Sequence, residues 1–386
     1  MRFPAILSFV SLLACSGMAD AADTNAAPVA KPNAQIAAAV PNQWLKLHEQ
    51  AASDTVRFSR QQHGGGCFDS RRNRIVLFGS NTHGKDWTNS PLLFDVATCT
   101  WSRLYPNDEK PTYKADAQGQ AVAGVNGDHP WATHTFGSVA YDPGRDEMVV
   151  CCYPRHMTPG RFSDALADVW GTVKRFPTWT FRFADKKWTP LPCNPMHFFP
   201  NAVAWDSDRK VVVGYGEAGV WELGGEPREW KKVFDTVLCG HHNNAVYDAK
   251  NKAVLVFGSN ENSNDMIVYR PENKEHRKMP TPGVRPPKDQ HCPMCFEPAI
   301  GRTVVLVDHV PEKGQPGEAK TEVWLYDLAG DAWQQITAAT LPFACGMNYT
   351  FYYDPVDKAC LLVVDPPNRP VTVMALKVEL TKSMAP

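Results

Sequence analysis

The sequence predicts an all-β chain, a β-propeller of six four-stranded blades closed into a ring by its own N-terminal strand. Three observations predict it. A strand, an acid-led turn and a second apolar strand recur six times along the chain. An apolar residue stands seven positions before a Trp in most copies. The last copy lacks a Trp-led strand, and the N-terminus carries one to spare.

The first half of the unit is read from its turn acids. Cys67-Phe68-Asp69 leads to Ile75–Phe78, and Val139–Asp142 leads to Met148–Val150. Val203–Asp206 leads to Val211–Val213, and Ala245–Asp248 leads to Val254–Phe257. Cys295-Phe296-Glu297 leads to Val304–Val307, and Phe351–Asp354 leads to Cys360–Val364. A repeat sought before any single element is assigned decides the fold.

The second half is a strand pair. Phe94 precedes Trp101, Phe181 precedes Trp188, Leu223 precedes Trp230 and Tyr326 precedes Trp333, while Tyr269 precedes His276 in the fourth copy. Each copy thus supplies four short strands, a to d. The Trp opens the outer strand, where its ring packs between blades. The sixth copy ends with a third strand in 371–380, and Trp44-Leu-Lys-Leu47 matches Trp101-Ser-Arg-Leu104. Pairing the two termini completes the blade and removes exposed sheet edges. The count is six; an insertion that hides a blade would make it seven, and a misread copy five.

These residues resemble the kelch family and the central propeller of the galactose-oxidase type, over about residues 43–380. Single glycines at Gly79, Gly214 and Gly258 stand where that family carries a double Gly after strand b. The resemblance implies the fold. It leaves the chemistry open, because propellers host enzymes, glycan binders and scaffolds. A copper oxidase of the galactose-oxidase type calls for a Tyr-His pair, and this chain contains no Tyr-His dipeptide.

The flanks read as processing segments. Residues 1–21 form a signal peptide: Arg2, an apolar run Phe3–Ala14, then Ala19-Asp20-Ala21 as a small-x-small cleavage site. The alternative is a lipobox at Leu12-Leu13-Ala14-Cys15, which would anchor a lipoprotein at Cys15. Either reading places the protein outside the cytoplasm, secreted or periplasmic. Residues 22–42 are Ala/Pro/Asn-rich and read as a disordered spacer, with the propeller in 43–380. With 40 basic and 41 acidic residues there is no cationic excess for nucleic acid, and a monomer is expected. No later apolar run reaches the ~18 residues of a membrane span. Ten cysteines besides Cys15 suggest disulfides in an oxidising compartment, and Cys292-Pro-Met-Cys295 reads as a disulfide or as buried thiols.

The histidines point to a site. Seven of twelve fall in d–a connections and three in b–c loops, which open on one face of a propeller. His63, His242 and His291 each stand six positions before their turn acid; His134 stands eight before Asp142, and Asn348 six before Asp354. Equivalent positions face one axis, so His63, His134, His242 and His291 are candidate ligands of a divalent metal such as Zn, Mn or Cu. His83, His156 and Tyr153 are candidate catalytic residues for a lyase-type enzyme on acidic polysaccharide. Arg155, Arg161, Trp131 and Asn260 are candidate contacts to the glycan. The other expectations are a non-catalytic propeller that binds glycan or protein, and a metal oxidase. Two long insertions, 105–133 and 153–178, lie on the same face, and a short helix is expected within 163–170.

Overall fold

Six four-stranded antiparallel sheets succeed one another in the computed structural model, which describes residues 30–58, 65–80, 87–151, 153–154, 157–161, 164–192, 202–216, 219–261, 263–311, 317–347, 349–365 and 369–380. After β1 (Trp44–Glu49), blade 1 comprises β2 (Gly65–Asp69), β3 (Arg74–Phe78), β4 (Leu92–Asp95) and β5 (Thr100–Arg103). A separate ribbon, β6 (Lys114–Ala115) and β7 (Ala121–Val122), follows. Blade 2 comprises β8 (Val139–Asp142), β9 (Glu147–Val150), β10 (Trp179–Arg182) and β11 (Lys187–Pro190). Blade 3 comprises β12 (Ala202–Asp206), β13 (Val211–Gly216), β14 (Gly219–Gly224) and β15 (Glu229–Phe234). Blade 4 comprises β16 (Asn244–Asp248), β17 (Ala253–Phe257), β18 (Ile267–Arg270) and β19 (Glu275–Lys278). Blade 5 comprises β20 (Met294–Glu297), β21 (Arg302–His309), β22 (Lys320–Asp327) and β23 (Ala332–Gln335). Blade 6 comprises β24 (Tyr349–Asp354), β25 (Ala359–Val364) and β26 (Thr372–Leu376), with β1 as its outer strand. Each inner strand packs on the inner strand of the next blade, and β24 packs on β2, so the ring is closed.

Burial explains why the two middle strands read as apolar runs. A blade is sandwiched between two neighbours, so both faces of its second strand are covered. In β3, Ile75 and Leu77 join the core shared with blade 6, while Val76 and Phe78 join the core shared with blade 2. Val304 and Leu306 of β21 likewise face blade 6, and Val305 and Val307 face blade 4. Six such cores, one per blade interface, hold the ring. Each apolar side chain buried there contributes roughly 1.5–3 kcal/mol. The outer strands alternate instead, with Trp101, Trp188 and Trp333 turned inward.

The aromatic spacing is a cross-strand pairing. Phe94 faces Trp101, Phe181 faces Trp188, Leu223 faces Trp230, Tyr269 faces His276 and Tyr326 faces Trp333. The Trp188 ring lies 5.0 Å from Phe181 and 5.0 Å from Phe78 of blade 1. Trp333 likewise lies 4.9 Å from Phe257 of blade 4. The inner turns repeat for a local reason. The turn acid accepts backbone N–H bonds from within the turn, as Asp142 does from Gly144 and Arg145 and Asp206 from Asp208 and Arg209. The fourth residue after the acid takes a positive φ: Asn73 (52°), Asp146 (57°), Lys210 (56°), Lys252 (51°), Gly301 (61°) and Lys358 (52°).

Closure occurs as the termini predict. Trp44 pairs with Leu376 and Glu49 with Thr372, and Trp44 Nε1 donates to the Ala339 carbonyl at 2.6 Å. Within the segment read as a spacer, residues 30–42 are built into the ring. Asn33 caps a one-turn helix, α1 (Ala34–Ala37), by accepting from the N–H groups of Gln35 and Ile36. Its own N–H donates to Asp357 of blade 6, and its Nδ2 donates to the Val96 carbonyl of blade 1. Ile36 is fully buried between these two blades, and Asn42 exchanges hydrogen bonds with Glu379. We call residues 30–43 the strap.

The expected disulfides are also corrected among the described residues. Cys67, Cys99, Cys239, Cys345, Cys360 and both cysteines of the CxxC, Cys292 and Cys295, are free thiols there. Cys295 Sγ donates to Cys360 Sγ at 3.3 Å across blades 5 and 6. Burial pushes the Cys292 and Cys295 thiols well up, which keeps both protonated.

Candidate functional site

The loops between the outer strand of one blade and the inner strand of the next place the axial residues. Three rings meet on the axis side of these loops, from Phe136, His242 and His291. His242 and His291 stack at 4.2 Å and 27°, and Phe136 stacks on His291 at 5.4 Å and 6°. All three residues have positive φ, at 44°, 64° and 55°. Phe136 stands six before Asp142, so it, and not His134, is the blade 2 member of the register. Its spacing marks it in the sequence, while its residue type, an apolar ring, does not. Non-glycine residues in this backbone region cluster at ligand sites and tight loops.

Among the described residues His134, His242 and His291 do not come together as a ligand set. Two stacked imidazoles direct their in-plane lone pairs side by side, not at a common point. His242 Nδ1 donates to Gln290 Oε1 at 2.5 Å, and its backbone carbonyl accepts the His291 N–H at 2.8 Å. His134 is 1% exposed; its Nδ1 donates to the Ser80 carbonyl at 3.3 Å and its ring stands edge-on to Phe136. Among the described residues no group of three or more His, Cys, Asp or Glu side chains is placed to hold a metal ion. His63, His83, His156 and Arg155 lie outside the described residues.

The other sequence candidates divide between two places. Asn260 lies against the loop that leads into His242: its N–H donates to the His241 carbonyl, and its side chain lies over Gly240, where a Cβ would come within 2.6 Å of Asn260 Oδ1. Trp131 and Tyr153 belong to a lobe formed by the two insertions, and Arg161 is exposed on its 153–178 limb. Trp131 is 3% exposed and its Nε1 donates to the Val122 carbonyl, so it is the core of the lobe and offers no open face for a sugar. Tyr153 meets Phe176 edge-on at 4.7 Å. The expected helix within 163–170 is a single turn, α2 (Ala167–Trp170). His129 closes the 105–133 insertion on itself, with Nδ1 2.7 Å from Asp108 Oδ2 and its ring stacked on Tyr105, and Asn89 Nδ2 in the loop between β3 and β4 donates to the same Asp108 oxygen at 2.7 Å.

Beside the rings lies an acidic pair that no spacing announces. Asp289, two residues before His291, is half-buried, and its Oδ2 accepts the Asp308 N–H at 3.1 Å. Asp308, near the end of β21, is buried; it accepts from Thr321 Oγ1 at 2.5 Å and from the N–H groups of Cys345 and Gly346 at 3.1 and 2.7 Å. Burial, and then the charge of Asp308, push the Asp289 carboxyl up to about 7. Burial raises Asp308 as well, against the donors that favour its ionised form. Burial also lowers the His242 imidazole below its ordinary value, so the ring is neutral at pH 7. The site therefore holds a carboxyl poised near neutrality, a neutral imidazole and a stacked ring surface.

No family model and no curated protein matches the sequence. Solved structures match the fold. One is described as a structural genomics protein of unknown function from Bacteroides thetaiotaomicron: identity is 8%, coverage is 86% of this chain and 74% of that one, and the TM-score is 0.50. Another, described as YjhT, is 8% identical over 85% of this chain and 97% of that one, with a TM-score of 0.54. A TolB from Acinetobacter baumannii superposes more loosely, at 12% identity over 78% of this chain and 62% of that one, with a TM-score of 0.42. At such identities the likeness is one of fold, and what this chain shares with the first two structures is the propeller itself.

Proposed function

We propose that this kelch-like propeller is exported and acts on a glycan by proton transfer, in lyase-type fashion, with Asp289 as the acid–base group. The observation that carries this reading is the position of Asp289: half-buried, held by the Asp308 N–H, and adjacent to Gln290, which fixes His242. A general base works best with a pKa near the working pH, and the Asp289 carboxyl is pushed up to about 7. The ring surface of Phe136 and His242, both partly exposed, suits the C–H face of a sugar. Export is supported by the apolar run Phe3–Ala14.

The test is turnover of a panel of neutral and acidic polysaccharides, read as new reducing ends and unsaturated products. Wild type is expected to turn over one class, with activity rising as pH passes about 7 and Asp289 ionises. Asp289→Asn is expected to lose about a hundredfold or more in rate. Glycan binding by the wild type without any product would replace this reading with that of a binding propeller. Full activity in Asp289→Asn would remove Asp289 from the chemistry.

A further inference from the structure

The inner turn at the ring seam between blades 6 and 1 differs from those of blades 1, 2 and 3 in one position. In blades 1, 2 and 3 the third residue after the turn acid is an arginine paired with that acid. Arg72 meets Asp69 at 3.0 Å, Arg145 meets Asp142 at 3.5 Å, and Arg209 meets Asp206 at 2.7 Å. In blade 6 the same position is Asp357, so a second carboxyl stands where blades 1, 2 and 3 carry a guanidinium, blade 4 an amide (Asn251) and blade 5 an apolar side chain (Ile300). Asp357 Oδ1 accepts the Asn33 N–H at 2.8 Å, and its Oδ2 accepts from Asn73 Nδ2 at 3.0 Å. One carboxylate thus joins the strap, the inner turn of blade 1 and the inner turn of blade 6. Asp354 is fully buried beside it. Its Oδ1 accepts the N–H groups of Val356 and Asp357, while its Oδ2 is buried without a hydrogen bond.

We propose that the Asp354–Asp357 carboxyl pair is a pH-sensitive latch on the ring seam, which holds the N-terminal strap when Asp354 is protonated and loosens it when both carboxyls are ionised. The groups that face the pair offer no compensating cation. They are Asn33 on the strap, Asn73 on the inner turn of blade 1, Cys99 on its outer turn, with Asp95 acting on the same thiol, and the Tyr353 hydroxyl of β24, on which the charge of Asp354 acts. Lys358 acts on Glu297 of blade 5. Among the described residues neither carboxyl forms an ion pair. Burial, and then the charge of Asp357, push Asp354 up to about 7. An unfolded aspartate titrates near ~4. Between those values the folded seam holds a proton that the unfolded chain releases. The stabilising contribution is therefore complete at low pH and is lost as pH rises through about 7.

The test is hydrogen exchange of the strap and β1 (33–49) in the full-length protein, corrected for the intrinsic exchange rate. Wild-type protection is expected to fall about tenfold or more between about pH 5.5 and pH 8. Asp354→Asn keeps the shape without the charge and is expected to show high protection at both values. Asp357→Asn turns an amide toward Asn73 and is expected to show low protection at both. Asp289→Asn, on the opposite face, is expected to keep the wild-type pH dependence. A flat wild-type profile, a wild-type slope in Asp354→Asn, or wild-type protection in Asp357→Asn would each overturn the latch. A flat profile in Asp289→Asn would reassign the titration to the other face.

Discussion

A chain beginning at residue 50 is expected to aggregate and to melt far below the full protein. Removing residues 30–49 strips blade 6 of its outer strand and bares the edge of β26, whose residues Thr372–Leu376 all pair with β1. It also uncovers the core between blades 6 and 1, because Ile36 and Leu47 are both buried there. Two apolar side chains at roughly 1.5–3 kcal/mol each already amount to about 3–6 kcal/mol. The hydrogen bonds of Asn33 and Asn42 add roughly 1 kcal/mol apiece. An unpaired strand edge is a template for a second chain, so the loss is expected as oligomers as well as heat lability. Size-exclusion chromatography and a thermal scan read both. A truncated chain that runs as the same species with an unchanged melting temperature would show that blade 6 is stable with three strands. Removing only residues 30–40 separates the strap from β1: the pairing survives, and the melting temperature is expected to fall by an intermediate amount.

That the strap went unread in the sequence, while the blades did not, has a physical cause. A strand covered on both faces must be apolar at successive positions, and Val304–Val307 or Val254–Phe257 is visible at once. Turn acids and inward Trp residues recur because each performs a local task in every blade. The strap has no such periodicity. Its attachment depends on one buried isoleucine and on Asn33 and Asn42, polar residues set in an Ala-rich segment that composition assigns to disorder. The axial site was legible to the extent that register could reach it. Counting six from the turn acid finds His242 and His291, and it also finds Phe136 once residue type is set aside. Spacing cannot tell whether two rings at equivalent positions converge on a point or stack, since that depends on the backbone: here both adopt positive φ. Asp289 and Asp308 are beyond such counting. One lies in a loop and the other near a strand end, and their adjacency follows from how the loop before blade 5 folds over β21.

Asp308→Ala is expected to weaken the fold and the proposed chemistry together, and the two effects can be separated. The Asp308 carboxylate is the acceptor for Thr321 Oγ1 and for two successive N–H groups, Cys345 and Gly346, in the loop entering blade 6. Alanine leaves the Cys345 and Gly346 N–H groups without their acceptor in a buried place, while Thr321 Oγ1 keeps the Phe343 carbonyl, at a cost of about 1–3 kcal/mol for each N–H that water does not reach. A fall in stability of about 3 kcal/mol or more follows, read as a lower denaturant midpoint. Asp308→Asn retains one acceptor oxygen but turns an NH2 group toward one of the donors, so roughly half of that loss is expected. The Asp289 carboxyl then loses a neighbouring charge while keeping its burial and the backbone N–H of residue 308. Its pKa moves down from about 7, because burial remains the larger cause and the Asp308 charge is gone. In the proposed enzyme the rising limb of the pH–rate profile moves to lower pH in Asp308→Asn, with a rate at high pH near that of wild type. A limb that stays near pH 7 while stability falls would show that burial alone poises Asp289. An unchanged denaturant midpoint in Asp308→Ala would show that the loop entering blade 6 finds other acceptors, and that Asp308 does not pin it.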